Sequence, residues 1–341
     1  MISSYAYRVA IALFLALSVT SGVRAQSAQD FFKNREIKLM VGHEAGNDYD
    51  VGARLLARHL SKQLPGQPPV VVQNMPQASG LAVANHMYVR AARDGSVIGS
   101  ISRNLPSQAV MGLPNIEADP RRYNWLGATS FPARVCVASD AAPVKSADDV
   151  FSRELMIGSA GVGSSTSIVP TVLNRVLGTK FRMIEGYRGA GDILLAIERG
   201  EVHGVCMSLG QFRSHEQKFR DGKLRYLFRA EESPLPGVDV PSIYGHAKNE
   251  EQRQLMRFIF SSTELGRPYL MPPDVPKDRV QFMREAVAAA VNSPELIAEA
   301  EKMKLDMVYR PPERLEKLVT QLYETPPALI ETVKKISPNL R

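Results

Sequence analysis

The chain has 341 residues, 44% hydrophobic and 23% charged, which excludes a mostly disordered chain and a polytopic membrane protein. Its formal charge of +7, from 42 basic and 35 acidic residues, is scattered without a basic run, which argues against a nucleic-acid-binding tail. Two cysteines are too few for a disulfide scaffold or a Cys-rich metal site.

The length suits about two domains. Residues 1–25 read as a cleaved export signal. Arg8 closes a short polar start, and Val9–Val19 is apolar apart from Ser18. That run falls short of the roughly 20 residues a membrane span needs. Val23-Arg24-Ala25 then supplies small residues at the two positions a signal peptidase reads. The chain is therefore expected to be exported. In an oxidising compartment Cys136 and Cys206 either pair or remain two buried thiols, and both readings stand at this point.

Beyond the signal, short β-like runs alternate with helical patterns. Ile37–Gly42 reads as a buried strand. Val51–Lys62 reads as a helix, with Val51, Leu55, Leu56 and Leu60 on one face and Arg54, Arg58 and Lys62 on the other. Strand Val70–Gln73, helix Leu81–Ala92 and strand Val97–Ile101 follow. A second series runs through strand Arg134–Ala138, a helix opening at Ser146–Phe151, strand Leu155–Gly158 and helix Ser164–Leu177, which Gly178 ends. Strand Phe181–Ile184, helix Ala190–Arg199 and strands Val202–Met207 and Leu224–Arg229 come next. Glu232–Gly245 is rich in Pro and Gly and reads as an irregular connection. Phe258–Ser262 reads as a returning strand, and the tail from Pro276 as mainly helical, with Pro311-Pro312 and Pro326-Pro327 opening its last helices. This alternation predicts an α/β protein with parallel sheets and helices on both faces.

Three loops place glycine beside hydroxyl, acidic or guanidinium groups where a strand gives way to a helix: Gly42–Asp50, Gly158–Ser167 and Gly186–Asp192. Unbonded backbone N–H groups and the positive end of a helix dipole make such loops anion sites at the carboxyl edge of a sheet. Arg188 can take a carboxylate with two parallel bonds. The plainer alternative is that these are turns and caps, with Asp50, Ser164 and Ser165 serving only their helices and Arg188 solvated. A mild positive surplus suits an anionic ligand without establishing one.

Enzyme signatures are missing from the sequence. There is no phosphate-binding loop and no nucleophile elbow, and the dinucleotide pattern begun at Gly161-Val162-Gly163 fails at Thr166. The six histidines form no metal-ligand pair, so neither a metal nor a cofactor is expected. The leading alternative is an exported α/β hydrolase using Ser164 or Ser165, and no histidine partner for it is evident.

Lys38–Leu60 resembles the strand, glycine loop and A-R-L-L-A-x-x-L helix of the tripartite tricarboxylate transporter substrate-binding proteins, the Bug family. Val70–Gly80 resembles that family's V-V-V-x-N-x-P-G-A-G-G segment, and Arg93-Asp94-Gly95 its P-D-G turn. Ile157–Leu177 is similar to its G-S-x-G-x-G-S-x-x-H helix start, and Tyr187–Gly204 to its Y-R-G-A-G segment. Pro268–Pro276 resembles the approach to its C-terminal helices. These matches follow the family's order through nearly the whole chain after the signal.

The resemblance implies a two-lobed periplasmic-binding-protein (Venus flytrap) fold, each lobe a doubly wound sheet. Lobe one would be 27–131 plus 258–341, and lobe two 132–257, with crossings near Phe131–Val135 and Phe258–Ser262. It implies a monomeric, non-catalytic receptor that delivers a small organic carboxylate to inner-membrane transporter subunits. A binding protein serving a sensor or another transporter would share the fold. The implied ligand-binding residues are His43, Asn47, Asp50 and Ser102 in lobe one. In lobe two they are Gly161, Gly163, Ser164, Ser165, Thr166, Tyr187, Arg188, Gly189, Gly191 and Asp192. Departures from the family pattern fall mostly in lobe one. Only Gly46 remains of its glycine run, Gln77 and Ser79 replace glycines, and Glu44 and Asp48 add carboxylates; in lobe two, Ser167 stands at the usual His. A ligand with a cationic group beside its carboxylate would suit Glu44 or Asp48, and aromatic acids belong to the same range of candidates.

Overall fold

The computed structural model describes residues 27–33, 35–161, 164–235 and 237–336. The expected signal segment and Gly163 lie outside the described residues, as do the side chains of Ser79 and Ser165. Lobe one is organised on a five-stranded sheet of order β2-β1-β3-β10-β4. Its strands are β1 (Ile37–Val41), β2 (Val70–Asn74), β3 (Val97–Ser100), β4 (Asn124–Ala128) and β10 (Pro268–Met271). Lobe two carries a sheet of order β7-β6-β8-β5-β9. Its strands are β5 (Arg134–Ser139), β6 (Leu155–Gly158), β7 (Phe181–Ile184), β8 (Gly204–Ser208) and β9 (Leu224–Arg229).

Both sheets are mixed, not parallel throughout as the alternation suggested. β1 runs parallel to β2 and β3, and β6 parallel to β7 and β8. β10 is antiparallel to both β3 and β4, and β5 to both β8 and β9. The cause is connectivity. β10 returns from the far side of lobe two, and β5 enters from the crossover, so neither follows the strand–helix–strand path that makes neighbours parallel.

Period-two alternation sorts side chains to the two faces of each sheet. Along β1, Leu39 and Val41 join the cluster under α1 (Asp48–Gln63) and α7 (Lys277–Val291), while Met40 faces the opposite cluster under α2 (Leu81–Val89) and α9 (Pro312–Tyr323). Along β5, Val135 and Val137 point to the cluster shared with α5 (Ala190–Glu198). Cys136 and Ala138 point to the cluster shared with α4 (Ser165–Val176) and α6 (Glu250–Leu265). α9 shows why the tail helices form: Pro312 opens the first turn, and Leu315, Leu318, Val319 and Leu322 make one buried stripe.

Residues 258–262 are not a strand. They belong to α6, which Asn249 caps by accepting from the Gln252 N–H. Phe258, Ile259 and Phe260 are buried along that helix, and the return to sheet one comes after it, through Gly266 and Arg267 into β10. Met111, Leu322, and Leu329 and Val333 of α10 (Pro327–Ile336) join the cluster of lobe two.

Cys136 and Cys206 are bonded to each other. They face each other directly across β5 and β8, with Cα atoms 4.0 Å apart, and both are buried. Of the two alternatives for these cysteines, the structure has the disulfide.

Candidate carboxylate-binding cleft

The first glycine loop leaves β1 at the carboxyl edge of sheet one and enters α1. Three loop backbones meet there. A Cβ on Gly42 would sit 2.8 Å from the Cα of Gly80, and a Cβ on Gly80 3.4 Å from the Ser102 nitrogen. Gly46 has φ +81, a left-handed conformation suited to glycine. Asn47 caps α1, accepting from the Tyr49 N–H at 2.9 Å.

Asp50 turns inward and holds the loop shut. It is 2% exposed and accepts from the Gly46 N–H at 2.8 Å, from Asn74 Nδ2 at 2.8 Å and from Arg54 Nε at 3.0 Å. Burial opposes its charge, but the bonds from Arg54, Gly46 and Asn74 outweigh that and hold its carboxyl below the usual range. Asn74 Nδ2 also donates to the carbonyl of His43 at 3.0 Å. Of the site residues named from sequence in this loop, Asp50 and Asn47 are therefore occupied in building it. Glu44 and Asp48 are exposed.

His43 stacks on Tyr49, ring centroids 3.7 Å apart. Its Nδ1 is buried and has no hydrogen-bond partner among the described residues. Burial first, and the charge of Arg103 second, lower its pKa, so the imidazole is neutral at neutral pH. The Tyr49 hydroxyl joins two parts of the fold. It donates to the carbonyl of Gly266 at 3.3 Å and accepts from the Arg103 N–H at 3.4 Å. Arg103 follows Ser102 at the end of β3 and is half-buried. Its guanidinium makes no hydrogen bond or salt bridge among the described residues.

The second loop leaves β6 and enters α4. Ser159 is buried, and its Oγ accepts from the Gly161 N–H at 3.1 Å. Thr166 Oγ1 accepts from the Ala160 N–H at 3.0 Å and shares a bond with Ser164 Oγ at 2.9 Å. Ser167 Oγ donates to the Ser164 carbonyl. Thr166 and Ser167 are buried and turned into the loop, whereas Ser164, the N-cap residue, is half-buried. Gly161 has φ +111, which a side chain rarely tolerates.

In the third loop Arg188 does not wait for a ligand. It grips Asp192 through Nε at 2.7 Å and Nη2 at 3.1 Å, with its side chain 90% exposed. Gly189 is extended at φ 169, and Gly191 lies exposed in the first turn of α5. Tyr187 is half-buried against the cluster of Ile193 and Leu194.

Sequence reasoning did not single out Tyr49 and Arg103, which meet beside the first loop, or Arg134 at the head of β5. Arg134 opens β5 opposite Ser208 and is 8% exposed. The signal was present: a guanidinium at the head of an otherwise apolar strand needs a reason to be buried.

Residues 52–334 match the model of the tripartite tricarboxylate transporter family receptor. The chain belongs to that family. It is 24% identical over 333 residues to the UPF0065 protein in the gbd 5′ region of Cupriavidus necator, covering 95% of each chain. It is 27% identical over 228 residues to protein BugT of Bordetella pertussis, covering 64% of this chain and 66% of that one. Among solved structures, a TctC solute-binding protein from Polaromonas without ligand superposes with a TM-score of 0.67 at 19% identity. That likeness covers 88% of this chain and 98% of the other. An R. palustris protein with adipate superposes at 0.51, with 18% identity and coverage of 89% and 97%. The two-lobed fold of these relatives is the fold described above, and this chain is a solute-binding protein of the family. Among the described residues, no helix is long and apolar enough to cross a membrane.

Proposed function

We propose that the mature protein is exported to the periplasm and closes over a small carboxylate-bearing solute. It then presents that solute, without altering it, to the membrane subunits of a tripartite tricarboxylate-type transporter. We place the division of the chain at the crossovers, near 131 and again at Gly266–Arg267. The observation that carries this reading is the pairing of two loops of the same construction. Each lies between a parallel strand and a helix, β1–α1 in one lobe and β6–α4 in the other, so each sets the positive end of a helix at the carboxyl edge of its sheet. Family membership and the adipate held by the R. palustris relative support a carboxylate as ligand.

Ser164 is the natural contact on lobe two. It is half-buried at the N-cap position of α4, makes no side-chain capping bond, and its hydroxyl can donate without adding charge. The test is a thermal-shift screen of mono-, di- and tricarboxylates, aromatic acids and amino acids, followed by calorimetry on Ser164→Asp. A ligand at 100 times its dissociation constant adds about 2.7 kcal/mol of stability, which the screen detects. Asp is as good an N-cap as Ser, so the fold should hold while the added carboxylate repels the ligand's. Wild-type affinity in Ser164→Asp would remove the ligand from this loop. Ester or amide turnover that vanishes in Ser164→Ala would overturn the non-catalytic reading.

A further inference from the structure

We propose that a cavity at the crossovers is a second binding site, separate from the glycine loops, for a flat aromatic carboxylate. Among the described residues, none of the Gly42–Asp50, Gly158–Ser167 or Gly186–Asp192 loops lines it. It measures 590 Å³, within the size range of small-molecule sites.

The walls come from three parts of the fold. Lobe two gives the turn Leu209–His215, the short helix Glu216–Arg220 and Tyr226 of β9. The first crossover gives Phe131 and Ala133, and the segment leading to α9 gives Asp306 and Val308. Backbone bonds hold these walls in place. The Leu209 N–H donates to the Ala133 carbonyl at 2.7 Å, and the Val308 N–H to the Thr129 carbonyl at 3.0 Å. Phe219 and Tyr226 stack almost parallel, ring centroids 4.1 Å apart, and Phe212 braces both edge-on. Phe212 is buried, whereas Phe219 and Tyr226 keep part of their surface open and line the cavity. Phe131 gives one ring face to the Arg310 guanidinium, 3.3 Å away, and still lines the cavity. Val308, 41% exposed, is left open at the same place. A ring laid there would remove these apolar surfaces from water.

The charges at the mouth decide the substituent. The exposed Arg213 faces Asp306 at 3.6 Å, too long for a hydrogen bond. Its guanidinium makes no other ion pair and no hydrogen bond among the described residues. Burial raises the Asp306 carboxyl, against the charges of Arg213 and Arg267, so Asp306 is the more easily neutralised if a ligand takes Arg213 from it. Arg220 stands on the same rim, 3.3 Å from Glu216, in a pair that solvent weakens because both side chains are largely exposed. A neighbouring cavity of 650 Å³ shares Gly210, Arg213 and Asp306 and adds Ser208, Gln211 and Lys304. A carboxylate on Arg213 would therefore lie between an aromatic wall and a polar one, and the guanidinium fork matches it with two parallel bonds. A cationic ring would meet two guanidiniums at the mouth instead.

The probes are 2-naphthoate, its neutral amide and 2-naphthylmethylammonium, measured by calorimetry on wild type, Arg213→Gln, Val308→Trp and Ser164→Asp. Arg213 and Val308 are exposed, so both substitutions should leave the fold intact, which circular dichroism checks. Wild type should bind naphthoate about tenfold to a hundredfold better than the amide, and Arg213→Gln should bring that ratio near one. Val308→Trp puts an indole into the cavity and should weaken naphthoate by about tenfold or more. Ser164→Asp should bind naphthoate as wild type does, which separates this site from the glycine loops. If naphthoate affinity falls in Ser164→Asp and survives Val308→Trp, the ring lies at the glycine loops and the second site is overturned. A cation bound better than naphthoate, a ratio unchanged in Arg213→Gln, or no binding by any probe would overturn it as well.

Discussion

Among the described carboxylates, Glu231 departs furthest from its behaviour in water. It is 3% exposed, between the start of β5 and the end of α6. Burial first, and Glu264 second, raise its carboxyl from the ordinary 4.5 to about 8, against the opposing charges of Arg134 and Arg310. Glu264 itself pairs with Arg314 at 3.1 Å. The sign of the pH effect follows from linkage. Below the unfolded value Glu231 is neutral in both states and costs nothing. As pH rises from about 4.5 to about 8 the unfolded chain releases its proton while the folded protein keeps it, so stability falls across that window. Glu231→Gln should flatten this decline and leave the variant more stable than wild type near pH 8. Urea unfolding at a series of pH values measures it, and parallel curves for the two proteins would show that Glu231 ionises normally. The same residue scale explains what the sequence hid. Asp50, Asn47 and Arg188 have the chemistry of ligand contacts, but nothing in a sequence shows that Gly46, Tyr49 and Asp192 already hold them.

At the scale of elements, local chemistry was legible wherever it was strong. Gly178 follows the last turn of α4 with φ +77, as a C′ glycine should, and Pro312 and Pro327 start their helices. Phe258–Ser262 misled because a short apolar run has no period of its own. The helix signal lay upstream, in Asn249 and the acidic Glu250-Glu251 turn. β10 escaped because prolines border it, yet Pro268 is its first residue, where a missing N–H does little harm. The disulfide was left open by sequence because pairing depends on register, and register puts Cys136 opposite Cys206. It closes a loop of 70 residues, for which chain-entropy reasoning gives a stabilisation of about 4 kcal/mol. Both sulfurs are buried, so mild reductant should leave the native protein oxidised and act only once urea opens it. Cys136→Ala/Cys206→Ala should unfold at lower urea by that amount. Equal midpoints for the variant and the oxidised wild type would mean the bond does not constrain the chain.

At the scale of the whole molecule, the two crossovers must move together if the lobes are to close, and the structure packs one directly on the other. Gly266, at the end of α6, has φ +58 and ψ −130, a region that side chains avoid. A Cβ there would run into the carbonyl of Ser130 on the first crossover. Tyr49 bonds the Gly266 carbonyl, and Thr129 N–H bonds the Arg267 carbonyl at 3.0 Å, so the contact is fixed from both sides. Backbone cannot yield as a flexible side chain does. Gly266→Ala should therefore lose well over the roughly 1–2 kcal/mol that a left-handed alanine alone costs. Gly178→Ala is the matched control: its φ is +77, but a Cβ there meets nothing within 4 Å, so only the conformational cost applies. Urea unfolding of the two variants separates the terms. If Gly266→Ala folds but is weakened, ligand-dependent compaction in small-angle scattering should also be blunted, because the crossovers can no longer share one path. If Gly266→Ala and Gly178→Ala lose the same stability, the crossovers are not in contact in solution, and the lobes hinge on two independent strands.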